Sequence, residues 1–188
     1  LGKIVHCEGG YCHDLREEIS NGQENRHYRL RNYLNRNCEN YPTHELGPIA
    51  KLLDINNGNR IVSLSSTASC SHGLHEYVVQ KRPESDPLTK AEFAQGDIIT
   101  TVMKTKLGQT IVITLDTTLP RSYSRRFTVR GTKGAYFEDT DSFFIDGAHN
   151  QFDYEPKKIW DNAAEYEKEY MHPFWQNYIP QGTHDGMD

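Results

Sequence analysis

The chain has no run of about 18 apolar residues, no G-x-G-x-x-G turn, no C-x-x-C pair and no block of like charges. Each absence removes a class of function. Without a long apolar stretch there is no segment able to span a bilayer as a helix, and no basic leader with an apolar core stands at the start. The four cysteines, Cys7, Cys12, Cys38 and Cys70, lack metal-finger spacing. Nothing in the spacing supports a zinc site from Cys12, His13, Cys38 and His44. Cys7 and Cys12 are an odd number of residues apart, so on one strand they face opposite sides and do not bridge. The formal net charge is −5 and the basic residues are scattered, Arg26 to Arg31 apart, which excludes a nucleic-acid footprint. Apolar residues make up 36%, below the usual level, yet 188 residues suffice for one domain with a real core.

What is present is a pair of tyrosine–histidine motifs. Cys38 to Gly47 reads C-E-N-Y-P-T-H-E-L-G, with Tyr41 and His44 three residues apart at the entrance of an expected helix. Gly9 to Arg16 reads G-G-Y-C-H-D-L-R and holds Tyr11 and His13. Histidine is the one side chain whose ordinary pKa lies near neutrality, and a phenol beside it makes a proton-handling pair. The alternative is two satisfied surface histidines with tyrosines filling a half-buried sheet.

Patterning predicts an α+β fold: an open, mostly antiparallel sheet of five to seven strands with helices on one face. Leu1 to Tyr11 reads as a strand ending at a glycine pair. Residues 14–37 are polar and poorly periodic, which predicts a long loop with one short helical turn near Tyr28 to Tyr33. Thr43 is the expected N-cap of a helix over Glu45 to Leu53, closed by Asn56-Asn57-Gly58. Arg60 to Thr67 alternates, Ser71 to Ala94 reads as a non-strand excursion, and 97–105 with 110–117 form a hairpin. Short strands follow at 126–131, 133–137 and 142–146, then a charged helix near Asn162 to Glu169 and a coil at His172 to Trp175. The chain opens directly in a strand and stops at Gly186-Met187-Asp188. We expect a single substrate-binding and oligomerisation domain over residues 1–188, a piece of a longer protein truncated at both ends, with any targeting signal outside it.

Five segments carry a resemblance: G-G-Y-C-H-D-L-R (9–16), N-Y-P-T-H-E-L-G-P-I-A (40–50), D-I-N-N-G-N-R (54–60), L-D-T-T-L-P-R-S-Y-S-R (115–125) and F-T-V-R-G-T-K-G (127–134). Together they resemble the C-terminal domain of the Gfo/Idh/MocA oxidoreductase superfamily, and within it glycoside hydrolase family 109, the NAD-dependent α-N-acetylgalactosaminidases. The superfamily's Rossmann domain is absent here. No glycine-rich turn opens a helix after a strand, and neither Lys157 nor Lys158 sits in the superfamily's Glu-Lys-Pro context. The position four before His44, often Asp in the superfamily, is Asn40. Asparagine cannot fix an imidazolium by charge, which weakens a plain dehydrogenase reading.

The resemblance implies oxidation of the sugar at C3 by NAD, elimination of the glycosidic oxygen, addition of water and re-reduction, with the protein supplying position and proton transfer. It implies catalytic roles for His44 at the C3 hydroxyl and Tyr11 at the C2 proton, with His13 beside them. Because a phenol titrates near 10, Tyr11 needs a neighbouring cation, for which His13 or Arg16 is the candidate. Tyr41, Tyr123, Arg29 and Arg16 are the implied substrate contacts; Arg29 could otherwise pair with Glu24 or Glu39, and His13 could cap the loop with Asp14. No residue of this chain is expected to hold NAD or a metal. The implied partners are a carbohydrate, the protein's own Rossmann domain and a second copy through the sheet, and relatives of this kind are often exported by bacteria. Two other readings stay open: the C-terminal domain of an NAD(P)-dependent sugar dehydrogenase, and a non-catalytic dimerisation module.

Overall fold

A computed structural model describes residues 1–24, 28–152 and 155–176. In chain order the elements are β1 (Ile4–Cys12), α1 (Arg16–Ser20), α2 (Tyr28–Asn35), α3 (Thr43–Leu52), β2 (Ile61–Ala68), α4 (Gly73–Lys81), β3 (Ile98–Thr105), β4 (Thr110–Asp116), β5 (Thr128–Gly131), β6 (Gly134–Phe137), β7 (Ser142–Ile145), α5 (Ala163–Tyr170) and α6 (Pro173–Gln176). The strands form one seven-stranded sheet in the order β2-β3-β4-β1-β5-β6-β7. Within it β1 and β4 run parallel; the other neighbours are antiparallel. The fold is the expected open α+β sheet with helices on one face.

Alternation decides which face is covered. On β3, Ile99, Thr101, Met103 and Thr105 are buried while the residues between them are not. The covered face holds two core patches. Near the C-terminal end of β1, Tyr11, Leu15, Ile19, Leu30, Tyr33, Leu74 and Val78 pack beneath α1, α2 and α4. Further back, Cys7, Ile49, Leu53, Met103, Ile111, Ile113 and Val129 pack beneath α3. At the far edge Tyr166 of α5 stacks on Phe143, centroids 5.0 Å apart, and Phe143 lies 4.7 Å from Tyr136. The opposite face presents Ser63, Ser65 and Thr67 opposite Lys104, Val102 and Thr100, and no described helix covers it.

Several local expectations fail for identifiable reasons. Residues 14–37 contain two helices, α1 and α2, instead of one turn; their buried Ile19, Leu30 and Tyr33 stabilise the helical geometry through packing, which single-sequence periodicity does not register. The excursion at 71–94 is not a strand, as expected, and contains α4, whose first turn is capped from a distance: Asp97 accepts from the backbone of His72 at 2.7 Å and Gly73 at 3.1 Å, and from the Thr118 hydroxyl at 2.7 Å. Thr43 is the first helical residue of α3 rather than its cap; Pro42 precedes it and no side chain caps the end. His172 to Trp175 also differs from a coil, because Pro173–Gln176 form a short helical turn.

Candidate active site

Two features of β1 and α3 create the site. A side chain at Gly9 would bring a Cβ to 2.8 Å of the Glu45 Cβ, so glycine there lets α3 press onto β1. Pro48 sits inside α3 and has no N–H for the His44 carbonyl one turn back, which leaves that acceptor without its usual helical donor.

Close packing brings three rings together. Tyr11, one residue from the end of β1, lies with its centroid 4.9 Å from Tyr41 and 5.0 Å from His44, and Tyr41 and His44 are 5.0 Å apart. His13 stands edge-on to Tyr11 at 6.2 Å and to Tyr123 at 5.3 Å, extending the cluster toward the 121–126 segment. Arg29, at the start of α2, closes the other side. Its guanidinium carbon lies 5.9 Å from the Tyr11 ring and 5.3 Å from that of Tyr41, and its Nη2 donates to the Tyr11 hydroxyl at 3.5 Å. Tyr11, Tyr41, His44 and Tyr123 therefore converge, with His13 and Arg29 among them.

Arg16 is placed elsewhere. Its Nε and Nη2 donate to Asp14 at 2.8 and 2.7 Å, and its guanidinium lies over the Tyr77 ring. The cation against Tyr11 is Arg29, whose own carboxylate partner is Glu18 at 2.6 Å instead of Glu24 or Glu39. Arginine reaches several neighbours, so sequence distance alone does not select among them.

Electrostatics divides the labour. Burial pushes the His44 imidazolium pKa below its ordinary value, and Arg125 and Arg29 push it further the same way. His44 is therefore neutral near pH 7 and able to accept a proton. The Tyr11 phenol is raised by burial, and Arg29 offsets only part of that rise while Glu18 adds to it. Tyr11 thus rests as a neutral phenol.

Several site residues had no motif to announce them. Arg125 donates from Nε to the Tyr123 hydroxyl at 3.0 Å and acts on His44. Its loop is pinned by Glu138, which accepts from the backbone of Arg125 at 3.1 Å and of Phe127 at 3.0 Å. Glu45 is 1% exposed and neither carboxyl oxygen has a hydrogen-bond partner among the described residues; burial and then the like charge of Glu39 push its pKa up to about 8. Glu39 is pushed up to about 7 by burial although it accepts from the Tyr41 backbone at 3.0 Å. In the sequence Glu45 reads as an ordinary acidic first-turn residue; only the glycine opposite it reveals its burial. Asn40 donates to Gln95 at 2.6 Å, so the position four before His44 is tied to the neighbouring loop.

A cavity of about 550 Å³, mostly apolar, lies beside β7 and α5 and includes none of these residues. Among the described residues no three His, Cys, Asp or Glu side chains gather as a metal site.

This constellation has a family. Residues 1–188 match the model described as glycosyl hydrolase 109, C-terminal domain. The chain belongs to the glycosyl hydrolase 109 C-terminal domain family. A glycosyl hydrolase family 109 protein of Parabacteroides distasonis is 38% identical over 210 aligned residues, and an alpha-N-acetylgalactosaminidase of Tannerella forsythia is 36% identical over 209. Both alignments take in 100% of this chain but only 44% and 43% of those proteins. The chain thus spans less than half the length of these family 109 relatives. Among solved structures, an inositol dehydrogenase homolog from Azotobacter vinelandii in complex with NAD+ superposes with a TM-score of 0.48 at 14% identity, over 78% of this chain and 35% of that one.

Four described glycines of this family 109 domain serve close packing. Gly9 and Gly10 lie inside β1, where a Cβ would meet Glu45 or the Cys12 sulfur, and Gly131 and Gly134 face each other across β5 and β6. They are packing glycines, not a strand–turn–helix phosphate site.

Proposed function

We propose that this domain supplies the sugar-side acid–base groups of a glycosidase acting on α-N-acetylgalactosaminides. The observation that carries the reading is the Tyr11–Tyr41–His44 ring cluster with Arg29 against it, together with membership of the family. The chemistry of oxidation belongs, in this reading, to an NAD held by a Rossmann domain outside this chain, and these residues offer it no cradle.

The chain's own work is proton handling. His44, kept neutral by burial and two guanidinium groups, accepts the proton of the sugar C3 hydroxyl. Tyr11, in the phenolate form that Arg29 favours against burial, takes the C2 proton once C3 carries a carbonyl that acidifies it. Its phenol ionises only as far as Arg29 compensates burial, so the Arg29–Tyr11 contact sets the strength of that base. Tyr41 and Tyr123 orient hydroxyls or the N-acetyl group, and His13 lies between Tyr11 and Tyr123 to steady both rings. The uncovered sheet face is the surface for a second copy.

The deciding experiment uses the full-length protein and methyl α-N-acetylgalactosaminide in deuterium oxide. Release of N-acetylgalactosamine carrying deuterium at C2 is the expected result. Release with the C2 hydrogen fully retained would show simple displacement at C1 and overturn the proposal.

A further inference from the structure

The segment that delivers Tyr41 to the ring cluster is held from a remote part of the chain. Residues 37–40 are exposed or half-buried, and α3, which follows, starts without a side-chain cap. Glu39 accepts from the Tyr41 N–H at 3.0 Å, but that bond is internal to the segment and ties it to nothing else. The hold comes from residues 95–97, just ahead of β3. Gln95 is 2% exposed, and its side-chain oxygen accepts from the Cys38 N–H at 3.3 Å and from the Asn40 amide at 2.6 Å. Its amide nitrogen donates to the Cys38 carbonyl at 3.0 Å. Beside it the Gly96 N–H donates to the Asn37 side chain at 3.0 Å.

The clamp is itself anchored. The Gln95 N–H donates to the Tyr33 carbonyl at 3.1 Å and the Asp97 N–H to the Cys70 carbonyl at 2.9 Å, while the Asp97 carboxylate holds the first turn of α4. A Cβ on Gly96 would come within 2.5 Å of the Ser69 carbonyl, so glycine lets this loop press against the chain just after β2. The contact is also directional. A backbone N–H only donates and a carbonyl only accepts, so the two bonds to Cys38 fix which end of the Gln95 amide faces which group. With the oxygen so placed, position 40 has to offer an N–H. Asn40 does; an aspartate there would set a carboxylate against that oxygen.

We infer that Gln95 is a positioning residue for Tyr41 and His44, acting through its amide clamp on Cys38 and Asn40. The inference rests on the glycosidase reading and deepens it. Three hydrogen bonds from one nearly buried side chain set the register of residues 38 and 40, and the two rings that meet Tyr11 follow directly at 41 and 44. Releasing the clamp lets that segment shift relative to β1, which carries Tyr11.

The test is a double-mutant cycle in the full-length protein on methyl α-N-acetylgalactosaminide, read well below each variant's melting midpoint so that folded proteins are compared. Gln95→Met keeps the length of the side chain and removes all three bonds. Asn40→Asp keeps the shape and makes the contact repulsive. Each should lower kcat about tenfold with KM moved less than about threefold, because small displacements of reacting groups act on the chemical step. The pair should fall no further than the worse single variant, since an aspartate has nothing to repel once the amide is gone. Losses that multiply in the pair, or a kcat left at the parent value in Gln95→Met, overturn the inference. Hydrogen exchange read by mass spectrometry separates the clamp from the reaction it serves. In Gln95→Met the amides of residues 38–41 should exchange about tenfold faster than in the parent, while those of β3 keep their rates. If the parent cleaves no such glycoside and exchange still responds in this way, the clamp stands and only the glycosidase reading fails. Unchanged exchange at 38–41 refutes the clamp whatever the turnover.

Discussion

The imidazole of His44 stands edge-on against the Tyr11 ring, centroids 5.0 Å apart and planes at 79°. The two groups come from elements more than thirty residues apart in the chain, and Gly9 is what lets those elements touch. From this contact and its surroundings several outcomes are expected.

On the proposed roles, loss of Tyr11 or of His44 should be plain but different in kind. In the full-length protein, Tyr11→Phe deletes the hydroxyl and keeps the ring, so solvent exchange at the sugar C2 should slow together with turnover. General acid–base groups contribute about 10²–10⁴-fold, and a fall of that size is expected. His44→Ala should lower turnover comparably by failing at the C3 hydroxyl. Exchange at C2 unaffected by Tyr11→Phe would reduce that tyrosine to a binding contact.

Arg29 should act through pH. It pulls the Tyr11 phenol down against burial, so Arg29→Gln removes that influence and the phenol rises further. The alkaline rise in kcat should then move to higher pH, with Glu18→Gln moving it the opposite way because Glu18 pushes the phenol up. A pH–rate profile of the two variants checks the pair of signs.

Glu45 should make the fold sensitive to alkali. Its folded pKa, about 8, lies above the ordinary carboxylate value near 4.3, so folding favours the protonated acid. That contribution is complete below the ordinary value, declines as pH rises between the two, and is gone above about 8. Thermal unfolding from pH 5 to 9 should show this decline. Glu45→Gln, a neutral replacement of the same shape, should flatten it and be more stable than the parent at pH 9. Equal slopes in the two proteins would mean that Glu45 is ionised in the fold. Glu39, pushed up to about 7, adds a smaller decline of the same sign.

Gly9→Ala should separate α3 from β1. The added carbon meets the Glu45 Cβ at 2.8 Å, inside any tolerable contact, and the helix must shift. A stability loss of about 1–3 kcal/mol is expected from overpacking. Turnover should fall further than stability, because His44 rides on the displaced helix. Denaturant melts paired with rates on the methyl glycoside measure both.

The isolated 188-residue chain should not bind NAD tightly, since its sequence has no G-x-G-x-x-G turn and Gly9, Gly10, Gly131 and Gly134 lie within strands. Titration calorimetry with NAD is the check; micromolar binding would place a cofactor site in this domain.

Much of this protein was legible in its residues. The alternation of Ile98 to Thr105 and Thr110 to Asp116 specifies the central hairpin, because period two leaves no choice of face once one side is apolar. The Tyr41-x-x-His44 and Tyr11-x-His13 spacings mark the residues whose rings meet, although Tyr41 lies ahead of α3 and not on its face. Other features were decided only by the tertiary structure. The helices α1, α2 and α4 lack strong periodicity and exist because Ile19, Leu30, Tyr33, Leu74 and Val78 find one another across the sheet. Arg29 rather than Arg16 faces Tyr11 because Asp14 already holds Arg16 with two hydrogen bonds and Glu18 anchors Arg29 over the rings. The burial of Glu45 and the pinning of the Arg125 loop by Glu138 depend on contacts between distant segments. Local pattern encodes which elements form and which face turns inward; charge state and partner choice arise from burial and long-range proximity, which only the folded chain supplies.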